Sequence, residues 1–172
     1  MDGTKMTYLI CLDDHRSFTG ELKKRFPDSS RYNVKSFITS DEFIDHLRKQ
    51  KENSSCKITI IGVSEANDDY KRTREIVKEV KTIDQNTGII LLAPEDKLEA
   101  LKKNVRGIID AYIPKNSSAI LRIHNITKRL ISEYKINKYK KRRNISLYVL
   151  FVFLFLASII VLLAYFRFPY YF

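Results

Sequence analysis

Twenty-two consecutive residues, Ile145–Phe166, carry no charged side chain, and they lie just behind the basic string Lys138-Tyr139-Lys140-Lys141-Arg142-Arg143. At about 1.5 Å rise per residue, a helix of that length crosses a hydrocarbon layer about 30 Å thick. Leu, Ile, Val and Phe dominate the block, and Tyr139, Tyr148, Tyr165, Tyr170 and Tyr171 cluster near its two ends. Amphipathic rings favour those positions at a membrane–water boundary. A buried helix of a soluble core rarely runs beyond about fourteen wholly apolar residues. The block therefore predicts a single transmembrane helix over 145–166, a basic juxtamembrane segment over 135–144 and a short tail over 167–172.

Charge sets the expected orientation. Lys135, Lys138, Lys140, Lys141, Arg142 and Arg143 precede the apolar block and only Arg167 follows it. Cationic flanks stay on the cytoplasmic side, so residues 1–144 are expected in the cytoplasm and 167–172 on the far side of the membrane. Met1–Lys5 leads into a short apolar run with no long h-region or small-residue cleavage site, so no leader is expected there. The chain's net charge is +11, but residues 135–172 hold seven Lys and Arg and no acid, leaving only +4 for residues 1–134. Most of the excess is thus a topology signal rather than a nucleic-acid footprint. Lys138, Lys140, Lys141, Arg142 and Arg143 should also attract anionic lipid, at about 1 kcal/mol per cation near the surface.

Residues 1–134 are long enough for one domain with its own core. Cys11 and Cys56 are expected as reduced apolar fillers, and His15, His46 and His124 are scattered without metal-ligand spacing. Apolar runs alternate with helical periodicity throughout. Tyr8–Leu12, Tyr32–Phe37, Ile58–Ile61, Ile89–Ala93 and Ile108–Ile113 read as strands. Phe18/Leu22/Phe26, then Phe43/Ile44/Leu47 behind a Ser40 N-cap, then Tyr70/Thr73/Ile76/Val77/Val80, then Leu98/Leu101/Val105 read as helices. A last helix is expected from Ser117/Ser118, with no Pro or Gly to stop it before the apolar block. Five β–α units with nearly all-apolar strands predict a doubly wound parallel sheet covered on both faces. Functional groups in such folds gather at the carboxyl ends of the strands, here Asp13, Asp14, Gly62, Ala93 and Lys115. No glycine-rich phosphate loop is present.

Tyr-Leu-Ile-Cys-Leu-Asp-Asp at 8–14 and Asp-Ala-Tyr-Ile-Pro-Lys at 110–115 resemble the first and fifth strands of response-regulator receiver (CheY-like) domains. The resemblance covers about residues 6–134 and implies strand order 2-1-3-4-5. It makes Asp13 and Asp14 counterparts of the magnesium-binding acids, Tyr112 of the switch aromatic and Lys115 of the phosphate-contacting lysine. It also exposes departures. Gly62 stands where the phosphoacceptor aspartate belongs, Ala93 where a Thr or Ser hydroxyl belongs, and Asn116 where the lysine is usually followed by Pro. Phosphoryl transfer needs an in-line carboxylate nucleophile and a cation to neutralise developing charge, and Gly62 offers no side chain.

These residues predict a degenerate receiver without catalytic residues, a non-enzymatic signalling or scaffolding module at the cytoplasmic membrane face. Its cofactor is none, or Mg²⁺ held weakly by Asp13 and Asp14. Asp13, Asp14 and Lys115 are equally readable as a structural ion-pair cluster, and Tyr112 as a packed aromatic rather than a moving switch. By the resemblance, the partner surface includes Leu98, Lys102, Lys103, Arg106 and Tyr112, facing a kinase, a regulator or a component of a membrane complex. The competing expectations are an acceptor relocated to Ser64, Glu65, Asp68 or Asp69, or to Asp13 or Asp14, and an anchored nucleic-acid binder. The composition disfavours the last, since zinc-finger spacing and a helix-turn-helix pattern are both missing.

Overall fold

The computed structural model describes residues 6–13, 16–50, 55–63, 70–105 and 107–167. The chain divides into two units, Met1–Ser132 and Glu133–Phe172. In the first, five parallel strands form one sheet in the order β2-β1-β3-β4-β5. The strands are β1 (Thr7–Leu12), β2 (Tyr32–Phe37), β3 (Lys57–Gly62), β4 (Gly88–Ala93) and β5 (Ala111–Pro114). Helices α1 (Arg16–Arg25), α2 (Ser40–Lys49), α3 (Tyr70–Ile83), α4 (Leu98–Asn104) and α5 (Ala119–Arg167) follow them in turn. The expected fold and strand order are both present.

Near-continuous apolar strands work here because both faces of the sheet are covered. Ile10, Leu12, Ile61, Ile89 and Leu91 face one way and form a core with Phe43, Ile44 and Leu47 of α2, Val77 and Val80 of α3, and Leu98 and Leu101 of α4. The intervening strand residues, among them Leu9, Cys11, Ile58 and Ile60, are also fully covered, as are Leu22 of α1 and Ile123 of α5. Two contacts place α1 and α5 on that second face. The Phe26 and His124 rings lie 5.2 Å apart, and a methyl added at Gly88 would meet Leu130 at 3.0 Å and Ile58 at 3.5 Å.

Local boundaries have local causes. Pro27 follows α1, and the turn after it is closed by Asp28 Oδ1, which accepts from the Ser30 amide at 3.1 Å and hydroxyl at 2.5 Å. The residue capping α2 is Thr39 rather than the expected Ser40, which is the first helical residue and accepts a hydrogen bond from Arg72 at 3.0 Å. The fifth strand is shorter than expected, beginning at Ala111 rather than Ile108. Gly107 turns the chain at φ +83°, and Asp110 spends its carboxylate on the Ile89 amide at 2.7 Å. Ile108 and Ile109 are left to pack sideways against the core.

The second unit consists of the continuation of α5. Its side chains from Ile145 to Leu162 project outward all round, with Tyr148 72%, Phe151 68% and Ile160 66% exposed. The helix holds a window of mean hydropathy 2.9, long and apolar enough to cross a membrane by length and composition. Ser158, the polar residue inside that stretch, satisfies its hydroxyl by donating to the Leu154 carbonyl at 2.9 Å.

Candidate functional site at the carboxyl edge of the sheet

Parallel pairing brings the candidate residues together at one edge. Leu12 pairs with Ile61, so Asp13 lies beside Gly62. The pairing of Gly62 with Leu92 and of Ala93 with Pro114 brings Ala93 and Lys115 to the same end. Main-chain bonds finish the edge: the Asp13 amide donates to Phe37 at 3.2 Å, Val63 to Leu92 at 2.7 Å and Lys115 to Ala93 at 2.8 Å. Asp13 and Lys115 form an ion pair at 3.7 Å, with their side chains 2% and 18% exposed.

Gly62 is where the edge differs from a working acceptor site. A Cβ built on Gly62 would run into Asp13 Oδ2, would lie 2.7 Å from its Cγ and 3.2 Å from its Cβ. The Asp13 carboxylate therefore occupies the volume a side chain at position 62 would need. Ala93 is fully buried in the core shared with α2, α3 and α4, and the β4 residue paired with Gly62 is Leu92, so neither puts a hydroxyl beside Gly62.

The remaining groups are equally committed. Tyr112 is half-buried and donates its hydroxyl to the Val105 carbonyl at 3.0 Å, tying β5 to the end of α4. Burial raises its phenol pKa, with the Lys102 charge opposing. Asn116, in the place of the usual proline, accepts from the Ser118 amide at 3.1 Å and hydroxyl at 2.8 Å and so shapes the entry to α5. The Cys11 thiol, buried next to the site, is pushed up to about 12, by desolvation first and then by the Asp13 charge, with Lys115 opposing. It stays protonated and unreactive. Cys11 and Cys56 are both free and buried.

Of the two acids expected to hold Mg²⁺, Asp14 lies outside the described residues. Asp13 is 6% exposed and its carboxylate is ion-paired with Lys115 at 3.7 Å. Among the described residues no three His, Cys, Asp or Glu side chains come together as a ligand set. Ser64, Glu65, Asp68 and Asp69, the relocated-acceptor candidates, also lie outside the described residues. The expected partner surface needs one correction. Leu98 is 8% exposed and part of the core, so it is not a contact residue. Lys102 and Lys103 are exposed, with Lys102 held by Glu99 at 2.7 Å, and Arg106 lies outside the described residues.

Solved structures confirm the fold. The chain is similar to a response regulator receiver domain protein from Clostridium thermocellum, at 19% identity and TM-score 0.58 over 76% of this chain and 98% of that one. It is similar to a response regulator from Thermotoga maritima, at 15% identity and TM-score 0.58 over 74% and 98%. A structure described as adenylate cyclase from Rhodopirellula baltica matches at 17% identity and TM-score 0.61 over 80% and 96%. No family model matches the chain, and no curated protein matches it by sequence. At these identities the likeness establishes a CheY-like receiver fold, and function has to be argued from the edge itself.

Proposed function

We propose that this chain is a membrane-anchored pseudo-receiver, an interaction module that works without a phosphate cycle at the cytoplasmic face of a membrane. The observation that carries this reading is the Asp13 carboxylate lying in the space beside Gly62, braced by Lys115. A receiver signals when a carboxylate takes a phosphoryl group and a hydroxyl and an aromatic ring respond. Here the acceptor position is glycine, the end of β4 offers no hydroxyl at Leu92 or Ala93, and the ring is already tied to Val105. None of the described residues at the edge couples phosphate chemistry to movement, and in this reading the folded surface itself is the signal. Lys102, Lys103 and the α4–β5 junction around Tyr112 face a protein partner in this reading, and the apolar part of α5 supplies the anchor. Lys138, Lys140, Lys141, Arg142 and Arg143 hold its entry against anionic lipid.

Incubation of the full chain with a small-molecule phosphodonor and Mg²⁺ is expected to leave its mass unchanged. A stable adduct on any aspartate would overturn the phosphate-independent reading. Loss of that adduct in Asp13→Asn or Asp14→Asn would then locate the acceptor at β1. The anchoring is tested separately: the chain should stay with membranes through an alkaline carbonate wash.

A further inference from the structure

The two faces of the sheet carry different charge. On one, α2, α3, the Glu95–Lys97 turn and α4 hold ten Lys and Arg against eight Asp and Glu. Several of these are paired with each other: Arg48 with Glu79 at 2.7 Å and with Asp45 at 3.6 Å, and Lys102 with Glu99 at 2.7 Å. On the other, α1 and the stretch of α5 within the first unit, residues 119–132, hold seven Lys and Arg against the single acid Glu21. Lys23, Lys24 and Arg25 form the exposed last turn of α1, and Arg122, Lys128 and Arg129 are exposed on α5. The two helices present one patch rather than two. Phe26, next to Arg25, stacks on His124, and the charges of both Lys128 and Arg25 act on that imidazole. Leu121, 51% exposed, places an aliphatic side chain on the same helix among the cations.

We propose that this α1/α5 face docks on a bilayer surface of anionic lipid headgroups. The inference rests on the anchored reading above, because a tethered surface meets lipid at high effective concentration. Twelve residues, 133–144, join the first unit to the apolar run. As the helix they form, they span only about 18 Å. A dispersed set of cations with an aliphatic side chain among them suits a diffuse anionic surface. The groove geometry and stacking aromatics that favour single-stranded nucleic acid are not part of the patch. Charge is the attractive element, so the contact is sensitive to lipid composition and to salt.

The test uses the full chain in nanodiscs of phosphatidylcholine, alone or mixed with phosphatidylglycerol, and follows amine acylation lysine by lysine. Lys23, Lys24 and Lys128 should acylate about tenfold more slowly in the anionic discs, and high salt should abolish the difference. Lys71 and Lys78, exposed on α3 across the sheet, should be unchanged and serve as internal controls. The double variant Lys24→Glu/Arg25→Glu should lose the protection of Lys128 without altering thermal unfolding. Protection that ignores lipid charge, or that extends equally to α3, overturns the proposal. So does competition by duplex DNA that restores acylation at Lys23, Lys24 and Lys128 in the anionic discs. A chain released from membranes by alkaline carbonate overturns the anchoring instead. The docking face is then decided by whether added anionic vesicles protect the same three lysines.

Discussion

The two ends of the sheet both bury an ion pair, and the pairs differ in quality. At the amino end, Lys57 is 2% exposed and meets Asp84, 20% exposed, at 2.8 Å. Around it Lys81 donates to the Thr87 carbonyl at 2.8 Å and approaches Asp110 at 3.6 Å, while Asp110 caps the Ile89 amide at 2.7 Å. At the carboxyl end, Lys115 stands 3.7 Å from Asp13, too far for a good hydrogen bond. The first is a tight charge-assisted contact that fixes where β3 and β4 begin. The second is a looser contact between an acid that is 2% exposed and a lysine that is 18% exposed.

The sharpest way to break that comparison is to remove one lysine from each end and measure unfolding of the full chain in detergent. Lys57→Met strands Asp84 and should cost about 3 kcal/mol. Lys115→Met leaves Asp13 buried without that ammonium and should cost less, about 2 kcal/mol, because the contact it breaks is longer. Equal losses would show the two ends to be alike. Gly62→Ala forces a methyl against Asp13 and should cost about 2 kcal/mol, as overpacked sites do. In an Asp13→Ala background the same change should be nearly neutral, and additive effects in that double-mutant cycle would refute the shared volume.

A smaller effect comes from acid. Burial holds His124 below the usual imidazole range, with Lys128 and Arg25 pushing the same way. For His46 burial is again first, then Lys35 and Lys49. His124 Nδ1 and His46 Nε2 are buried with no hydrogen-bond partner among the described residues. Each imidazole binds a proton less readily folded than unfolded. The contribution to stability is therefore complete above the ordinary histidine pKa near 6.5 and declines as pH falls below it. The melting temperature should drop modestly between neutral pH and pH about 5, and His46→Gln/His124→Gln should flatten that slope. Asp84 adds a second acid step lower down. Desolvation works against its charged form, but the Lys57 and Asn86 hydrogen bonds prevail and hold its pKa below the ordinary value. Its share of stability is lost as pH falls from the ordinary carboxylate range through that lowered value.

How far these features could be read in the residues depended on how local their causes are. Alternating strands and helices and the order of the sheet followed from apolar runs of strand length and from the resemblance of 8–14 and 110–115. The first three residues assigned to β5 failed because Asp110 is used as a cap for β4, a contact across twenty-one residues that no period shows. Thr39 displaced Ser40 as cap because both are good cap residues and only chain geometry chooses between them. At the site, Asp13, Gly62, Ala93 and Lys115 were found at the right edge, yet the occupation of the Gly62 space by Asp13 could not be read. It depends on a side-chain rotamer, which sequence spacing does not encode. Leu98 was given to the partner surface by the resemblance, although its spacing with Leu101 and Val105 already marked the apolar face on which it is buried.

The filled space beside Gly62 also bears on what a single substitution there can achieve. Replacing the glycine with aspartate would not by itself produce an acceptor, since the newcomer would collide with a neighbour already seated there. An aspartate at that position needs Asp13 to retreat from its lysine at the same time, so the two positions can change productively only as a pair.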